Sequence, residues 1–118
     1  MYLTDPNPKI LAKKSELVSK LLSFLPRDAV IDDPHETLAY ECDALSAYRC
    51  PPMVAVLPST TEEVAKILKI CWDLDVPVVP RGSGTSLAGG ALPTRDSLVL
   101  GVARMNDTLE VDYPNRLI

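Results

Sequence analysis

The segment VPRGSGTSLAGGALP, Val79 to Pro93, gathers four of the chain's five glycines around a single arginine. Glycine lets a backbone turn where a side chain would clash and approach a ligand closely, at an entropic cost, so such a cluster answers a need. Backbone N–H groups in a glycine-rich turn can converge on an anion, and an arginine beside them adds a planar fork matched to phosphate oxygens. Arg81, Gly82, Ser83, Gly84, Thr85 and Ser86 carry that chemistry, with hydroxyl side chains as further donors. A pyrophosphate is the ligand this set predicts. Neither common nucleotide loop fits, however. A Walker loop demands lysine directly after its last glycine, where this chain has Gly90 after Gly89, and a Rossmann fingerprint accepts Gly82 and Gly84 but meets Leu87 at its third glycine position. The residues alone leave a second reading open, a structural loop joining two sheets.

The elements around the loop decide where it sits. Met53 to Leu57 (MVAVL) is a continuous apolar run closed by Pro58, the pattern of a strand buried on both faces. Ser59 with Glu62, and Thr60 with Glu63, each fit a capping box, and Val64, Ile67, Leu68, Cys71 and Trp72 follow at helical spacing. A helix from about Thr60 to Leu74 is predicted, then a second strand over VPVV, Val76 to Val79. Strand, helix and strand form one βαβ unit with parallel strands and a right-handed crossover. The glycine loop then starts at the carboxyl end of a parallel strand, where open α/β sheets bind their ligands.

The flanks are simpler. Asn7 and Pro8 offer an N-cap and a first-turn proline, and Ile10, Leu11, Leu17, Val18, Leu21, Leu22 and Leu25 predict one amphipathic helix ending at Pro26. Its other face, Lys9, Lys13, Lys14, Glu16 and Lys20, reads as solvated surface. Arg27 to Pro52 shows no sustained period and predicts mostly loop. Ser97 to Val102 and Thr108 to Asp112 predict two more strands, the second followed by a YPN turn and the start of a return arm. A hairpin cut in its second arm would leave unpaired backbone groups, which predicts a chain that continues in a longer protein. The fold class is α/β.

Gross composition sets the limits. A chain of 118 residues with 47% hydrophobic residues is long enough for one core. Its formal charge of −4 supplies no basic face for a nucleic-acid backbone, and nucleic acid is excluded as a partner. No apolar run approaches the roughly 20 residues a bilayer demands, and MYLTDPNPK does not read as a signal peptide, so a cytoplasmic protein is expected. Cys42, Cys50 and Cys71 lack CxxC spacing and His35 is the single histidine, so reduced, non-catalytic thiols and no metal site are expected.

Three stretches carry a resemblance: YECDALSAYR (Tyr40 to Arg49), VLPSTTEEVAKIL (Val56 to Leu68) and VPVVPRGSGTSLAGGALP (Val76 to Pro93). Together they resemble the amino-terminal flavin domain of FAD-linked 2-hydroxy-acid oxidases and dehydrogenases of the vanillyl-alcohol oxidase type. YECDxLSAYR points within that group to the D subunits of bacterial glycolate oxidases. The similarity runs from about Asp33 onward, which divides the chain into a leading helix and linker (1–32) and a partial FAD-binding domain (33–118).

The resemblance implies that Arg81, Gly82, Ser83, Gly84, Thr85 and Ser86 contact the FAD pyrophosphate while Gly89 and Gly90 shape the turn. It also places Pro58 near the adenine end. Relatives that attach flavin covalently use a histidine in this loop, and here there is none, so non-covalent FAD is implied. The flavin would accept a hydride from a small 2-hydroxy acid, glycolate or D-lactate, with substrate-binding and catalytic residues outside this chain. No catalytic residue is assigned, and the 118 residues alone are expected to be inactive. Partner subunits are implied as well: a second flavin-domain subunit and an iron–sulfur subunit, through which the protein would associate with the membrane. An apolar face left exposed could pair two copies of the chain. The competing reading is a non-catalytic module that binds a nucleotide or a protein partner.

Overall fold

A computed structural model describes residues 5–118. Helices α1 (Pro8–Leu11) and α2 (Lys14–Leu22) lead into strand β1 (Val30–Ile31) through a 3-10 turn at Arg27–Ala29. A second 3-10 turn, Thr37–Tyr40, precedes β2 (Val54–Val56), helix α3 (Thr61–Leu74), β3 (Val78–Arg81) and β4 (Leu98–Gly101). The four strands form one sheet in the order β1-β2-β4-β3. β2 and β3 both run parallel to β4, and β1 is antiparallel to β2 with Val30 opposite Val56. The fold is α/β, as expected, with its antiparallel part on the β1 side.

The expected βαβ unit exists, but its two strands are not neighbours. Leu98 of β4 lies between Val54 of β2 and Val78 of β3, so the crossover through α3 leaves a gap that a later strand fills. Burial explains the order. All four residues of β4 are buried, which suits the centre of a sheet covered on both faces, whereas VVPR is only partly buried and takes the edge. Leu98 donates its N–H to Pro77 O at 2.8 Å and Val102 to Arg81 O at 3.0 Å, so residues 77 and 81 face β4. Pro80, out of step with them, faces the outer edge, where its missing N–H blunts pairing with a further strand.

Helix α3 begins as its capping signal predicts. Thr60 is the N-cap, its Oγ1 accepting from Glu63 N at 3.2 Å, while the Glu63 carboxylate accepts from Ser59 N at 2.7 Å. Asp75, left-handed at φ 58°, ends it. The helix buries Ile67, Cys71 and Leu74, but Leu68 and Trp72, expected on the inner stripe, stay 45% and 84% exposed. One helix face covers the sheet, and the second row of the broad apolar stripe turns outward.

The leading helix is broken rather than continuous, with a turn at Ala12 and Lys13. Asn7 caps it as expected, its side chain accepting from Lys9 N at 3.0 Å. Two of the lysines read as solvated surface are instead anchors: Lys13 Nζ donates to Leu74 O at 2.7 Å, at the end of α3, and Lys14 Nζ to Asp32 O at 2.8 Å. Ile10, Leu17, Leu21 and Leu25 enter one core with Val54, Ile67, Cys71, Leu98 and Leu100. TLEVD forms no strand. Leu109 is 95% exposed, and Asp112 makes only a single bridge to Leu117, because no strand lies beside this stretch to accept it.

Asp96 ties the chain's start to the segment before β4. Asn7 N donates to its Oδ2 at 2.8 Å, and this bond, opposed by desolvation, holds the carboxyl below the usual aspartate range. Because the folded-state pKa is the lower one, the stabilisation is complete above the unfolded value, about 3.9. It is lost as pH falls through the folded value. Urea unfolding from about pH 5 to pH 2 should therefore show a steeper loss of stability for the natural chain than for Asp96→Asn. Equal slopes would assign the acid sensitivity to other carboxyls.

Candidate functional site

β2, β3 and β4 are parallel and their carboxyl ends share one edge of the sheet. There the chain leaves β3 at Arg81, two residues later than the sequence pattern suggests, and enters the glycine loop. Arg81 is thus the last strand residue, and the loop proper opens at Gly82.

Loop geometry follows from two left-handed glycines, Gly84 at φ 75° and Gly89 at φ 77°. At Gly84 the reason is a close approach as well as a dihedral. A Cβ there would lie 2.3 Å from Arg81 Nη2 and 2.5 Å from Cζ, so the guanidinium rests against the bare Cα. Gly82 meets no heavy atom within 4 Å of where its Cβ would stand, leaving that face of the backbone open. Neither amide, of Gly82 or of Gly84, has a hydrogen-bond partner among the described residues.

The hydroxyls divide into two groups. Ser83 and Thr85 are exposed, with their oxygens 3.4 Å apart, and both can turn a proton outward. Ser86 Oγ instead accepts from Ala88 N at 3.3 Å and Gly90 N at 3.4 Å, which folds the SLAGG segment back on itself. Its own proton remains available to donate. Leu92 N closes the far end on Gly89 O at 3.2 Å, and Ala91, Leu92 and Pro93 are buried, so the loop is anchored where it returns to the sheet.

Sequence reasoning missed how Arg81 is held. Nη1 donates to Cys42 O at 2.7 Å, and Cζ lies 5.8 Å from the centre of the Tyr40 ring. The YECD stretch therefore fastens the root of the loop across some forty positions of sequence. Cys50 N donates to Glu41 O at 2.7 Å and Arg49 Nη1 to Glu41 Oε1 at 2.8 Å, which close YECDALSAYRC into a compact turn. Arg81 has further N–H groups with no partner among the described residues, so its charge remains available beside the open amides. What the loop offers is a donor-rich, positively charged stretch poor in bulky side chains, chemistry that suits a diphosphate.

Other expected roles resolve plainly. Arg104 Nη2 donates to both Asp28 O and Asp28 Oδ2 at 2.9 Å, and Arg49 is paired as above, so neither reaches the loop as a substrate cation. His35 is an exposed turn residue whose N–H donates to Asp33 Oδ1 at 2.8 Å. The three cysteines are free thiols; burial pushes Cys71 up to about 11 and raises Cys50, which makes both poor nucleophiles. Beyond buried Pro58, at the same sheet edge, a cleft of about 400 Å³ is lined by residues that include Ser59, Thr60, Arg104, Met105 and Leu109.

No helix among the described residues is long and apolar enough to cross a membrane. The chain is 40% identical over 103 residues to glycolate oxidase subunit GlcD of Escherichia coli (strain K12), covering 87% of this chain and 21% of that protein. It is 43% identical over 84 residues to D-lactate dehydrogenase of Archaeoglobus fulgidus, covering 64% of this chain and 19% of that one. The chain thus spans about a fifth of the length of these relatives. In three dimensions it resembles a solved alkyldihydroxyacetonephosphate synthase, with a TM-score of 0.76 and 23% identity over 97% of this chain and 24% of that one. This likeness shows the fold. The sequence profile of the FAD binding domain matches residues 52–118, from two residues before β2 through the glycine loop and β4 to Ile118. On that match the chain belongs to the FAD binding domain family.

Proposed function

We propose that this chain is the pyrophosphate-holding portion of a flavoprotein that oxidises a small 2-hydroxy acid, with FAD bound non-covalently at the Gly82 to Gly90 loop. The observation that carries the reading is the pair of unpartnered amides at Gly82 and Gly84, beside the Arg81 guanidinium, on the carboxyl edge of a parallel sheet. In this reading the two amides and the hydroxyls of Ser83 and Thr85 donate to phosphate oxygens. Arg81 offsets the diphosphate charge while staying fixed to Cys42 O. Ser86, Gly89 and Gly90 hold the turn. The cleft beyond Pro58 takes the adenine end, and residues 5–32 brace the FAD-binding portion, adding β1 to its sheet.

When bound, FAD supplies the hydride acceptor, and the protein's task at this end is to bind and orient it. Glycolate and D-lactate are the proposed substrates, supported by the relatives named above. A second flavin-domain subunit and an iron–sulfur subunit are the proposed partners of the whole protein, and two copies of this chain are proposed to pair when it is studied by itself.

The test is a titration of FAD into this chain, followed by quenching of flavin fluorescence, with Arg81→Ala alongside. Saturable binding weakened at least tenfold in the variant is the expected result. Saturable binding that Arg81→Ala leaves untouched would move the diphosphate away from the loop.

A further inference from the structure

Arg27, Arg49 and Arg104 each pair with a carboxylate, those of Asp32, Glu41 and Asp28. Arg81 pairs with no carboxylate among the described residues. Two neutral groups hold it instead: Nη1 donates to Cys42 O at 2.7 Å, and Cζ lies over the Tyr40 ring, 5.8 Å from its centre. A carboxylate in either place would neutralise the guanidinium before any ligand arrived, whereas a carbonyl dipole and a ring quadrupole attract the cation and leave its charge whole. Tyr40 itself is not a core residue. It ends the 3-10 turn Thr37–Tyr40, is half-buried, and stands outside the hydrophobic cluster that holds the fold together. With Val30, Ile31 and Ala39 it lines a cavity of about 740 Å³, so part of its surface borders open space.

We infer that Tyr40 is a positioning residue for the cofactor's diphosphate: with the Cys42 carbonyl it fixes the Arg81 guanidinium at the root of the glycine loop while leaving its charge free for phosphate oxygens. The inference rests on the FAD reading of that loop. Arginine has a long side chain rich in rotamers, and immobilising one when a ligand binds costs affinity. A guanidinium already held in the free chain has met that cost on folding. Gly84 belongs to the same arrangement, because its missing Cβ leaves the room that the guanidinium occupies.

A double-mutant cycle tests this. Tyr40→Leu removes the ring and keeps apolar bulk, whereas Tyr40→Phe keeps the ring and removes only the hydroxyl. Each is made in the natural chain and in Arg81→Ala. FAD is titrated into every chain by fluorescence quenching, and melting of each ligand-free chain is followed by circular dichroism.

Tyr40→Leu should bind FAD about three- to tenfold more weakly than the natural chain, and Tyr40→Phe within about twofold of it. Neither change should weaken binding further once Arg81 is alanine, and ligand-free melting temperatures should stay within a few degrees of the parent chain's. A loss in Tyr40→Leu that persists undiminished in Arg81→Ala overturns the inference, because the ring would then not act through the guanidinium. Equal losses in Tyr40→Phe and Tyr40→Leu overturn it by assigning the effect to the hydroxyl, and a ligand-free Tyr40→Leu chain that melts far lower does so by assigning the ring to the fold. Unchanged affinity in Tyr40→Leu beside a weakened Arg81→Ala overturns the inference and leaves the loop reading standing. An Arg81→Ala chain that binds FAD as well as the natural one, or a natural chain without saturable binding, removes the inference together with the loop reading.

Discussion

Leu98→Ala should lower the unfolding free energy by about 2–5 kcal/mol, the range for truncating a fully buried leucine. Leu98 is 0% exposed, opens the central strand β4, and is paired on one side with Val54 and on the other with Val78. A cavity there lies at the middle of the sheet, where neither neighbouring strand can collapse into it without losing its own ladder. Domains of this size have total stabilities of about 5–15 kcal/mol, so the loss would be a large part of the whole. In thermal melting it corresponds to a fall of roughly 8–20 °C. Leu109→Ala is the control, because Leu109 is 95% exposed and should change stability by no more than about 0.5 kcal/mol. A Leu98→Ala chain that melts within a few degrees of the natural one would mean that β4 is not at the centre.

The second expectation concerns the loop itself. Gly84→Ala should weaken FAD binding by at least tenfold and cost the ligand-free chain about 1–2 kcal/mol, the penalty for placing an L-residue in left-handed backbone. Gly84 has φ 75°, and its added Cβ would stand 2.3 Å from Arg81 Nη2. The arginine tip is flexible and would give way, but in doing so it leaves Cys42 O, 2.7 Å from Nη1, and its place near Tyr40. Strain and loss of the positive charge's position therefore arrive together.

Gly82→Ala separates these effects, because nothing lies within 4 Å of its Cβ position and its stability should change by no more than about 0.5 kcal/mol. Equal losses of stability in the two variants would show that the Gly84 turn and its arginine contact are not what shape the loop. Fluorescence titration and urea unfolding of both variants distinguish the outcomes.

Local chemistry was readable without coordinates. The Thr60 cap, the Asn7 cap, the apolar MVAVL run and the glycine spacing of the loop are set by neighbours within a few residues, so each appears in the sequence as a pattern and in the structure as the element it signals. Interrupted patterns were less legible. The break at Ala12 and Lys13 accompanies the contact of Lys13 with the carbonyl of Leu74, across 61 positions, which no local period records. Leu68 and Trp72 match the helical stripe as well as Ile67 and Cys71 do, but one face of α3 meets the sheet and the sequence does not say where that face ends.

By itself, then, the sequence determined the α/β class, the position of a donor-rich glycine loop after a parallel strand, and the residue types that suit a diphosphate. Tertiary structure alone decided that β4 separates β2 from β3, that TLEVD forms no strand beyond the bridge from Asp112 to Leu117, and that Arg81 is braced by Cys42 and Tyr40. The division has a physical cause. Caps, turns and periodicity are settled over a few ångströms of contiguous chain, whereas strand order and the partners of Arg81 depend on which distant surfaces bury most apolar area together.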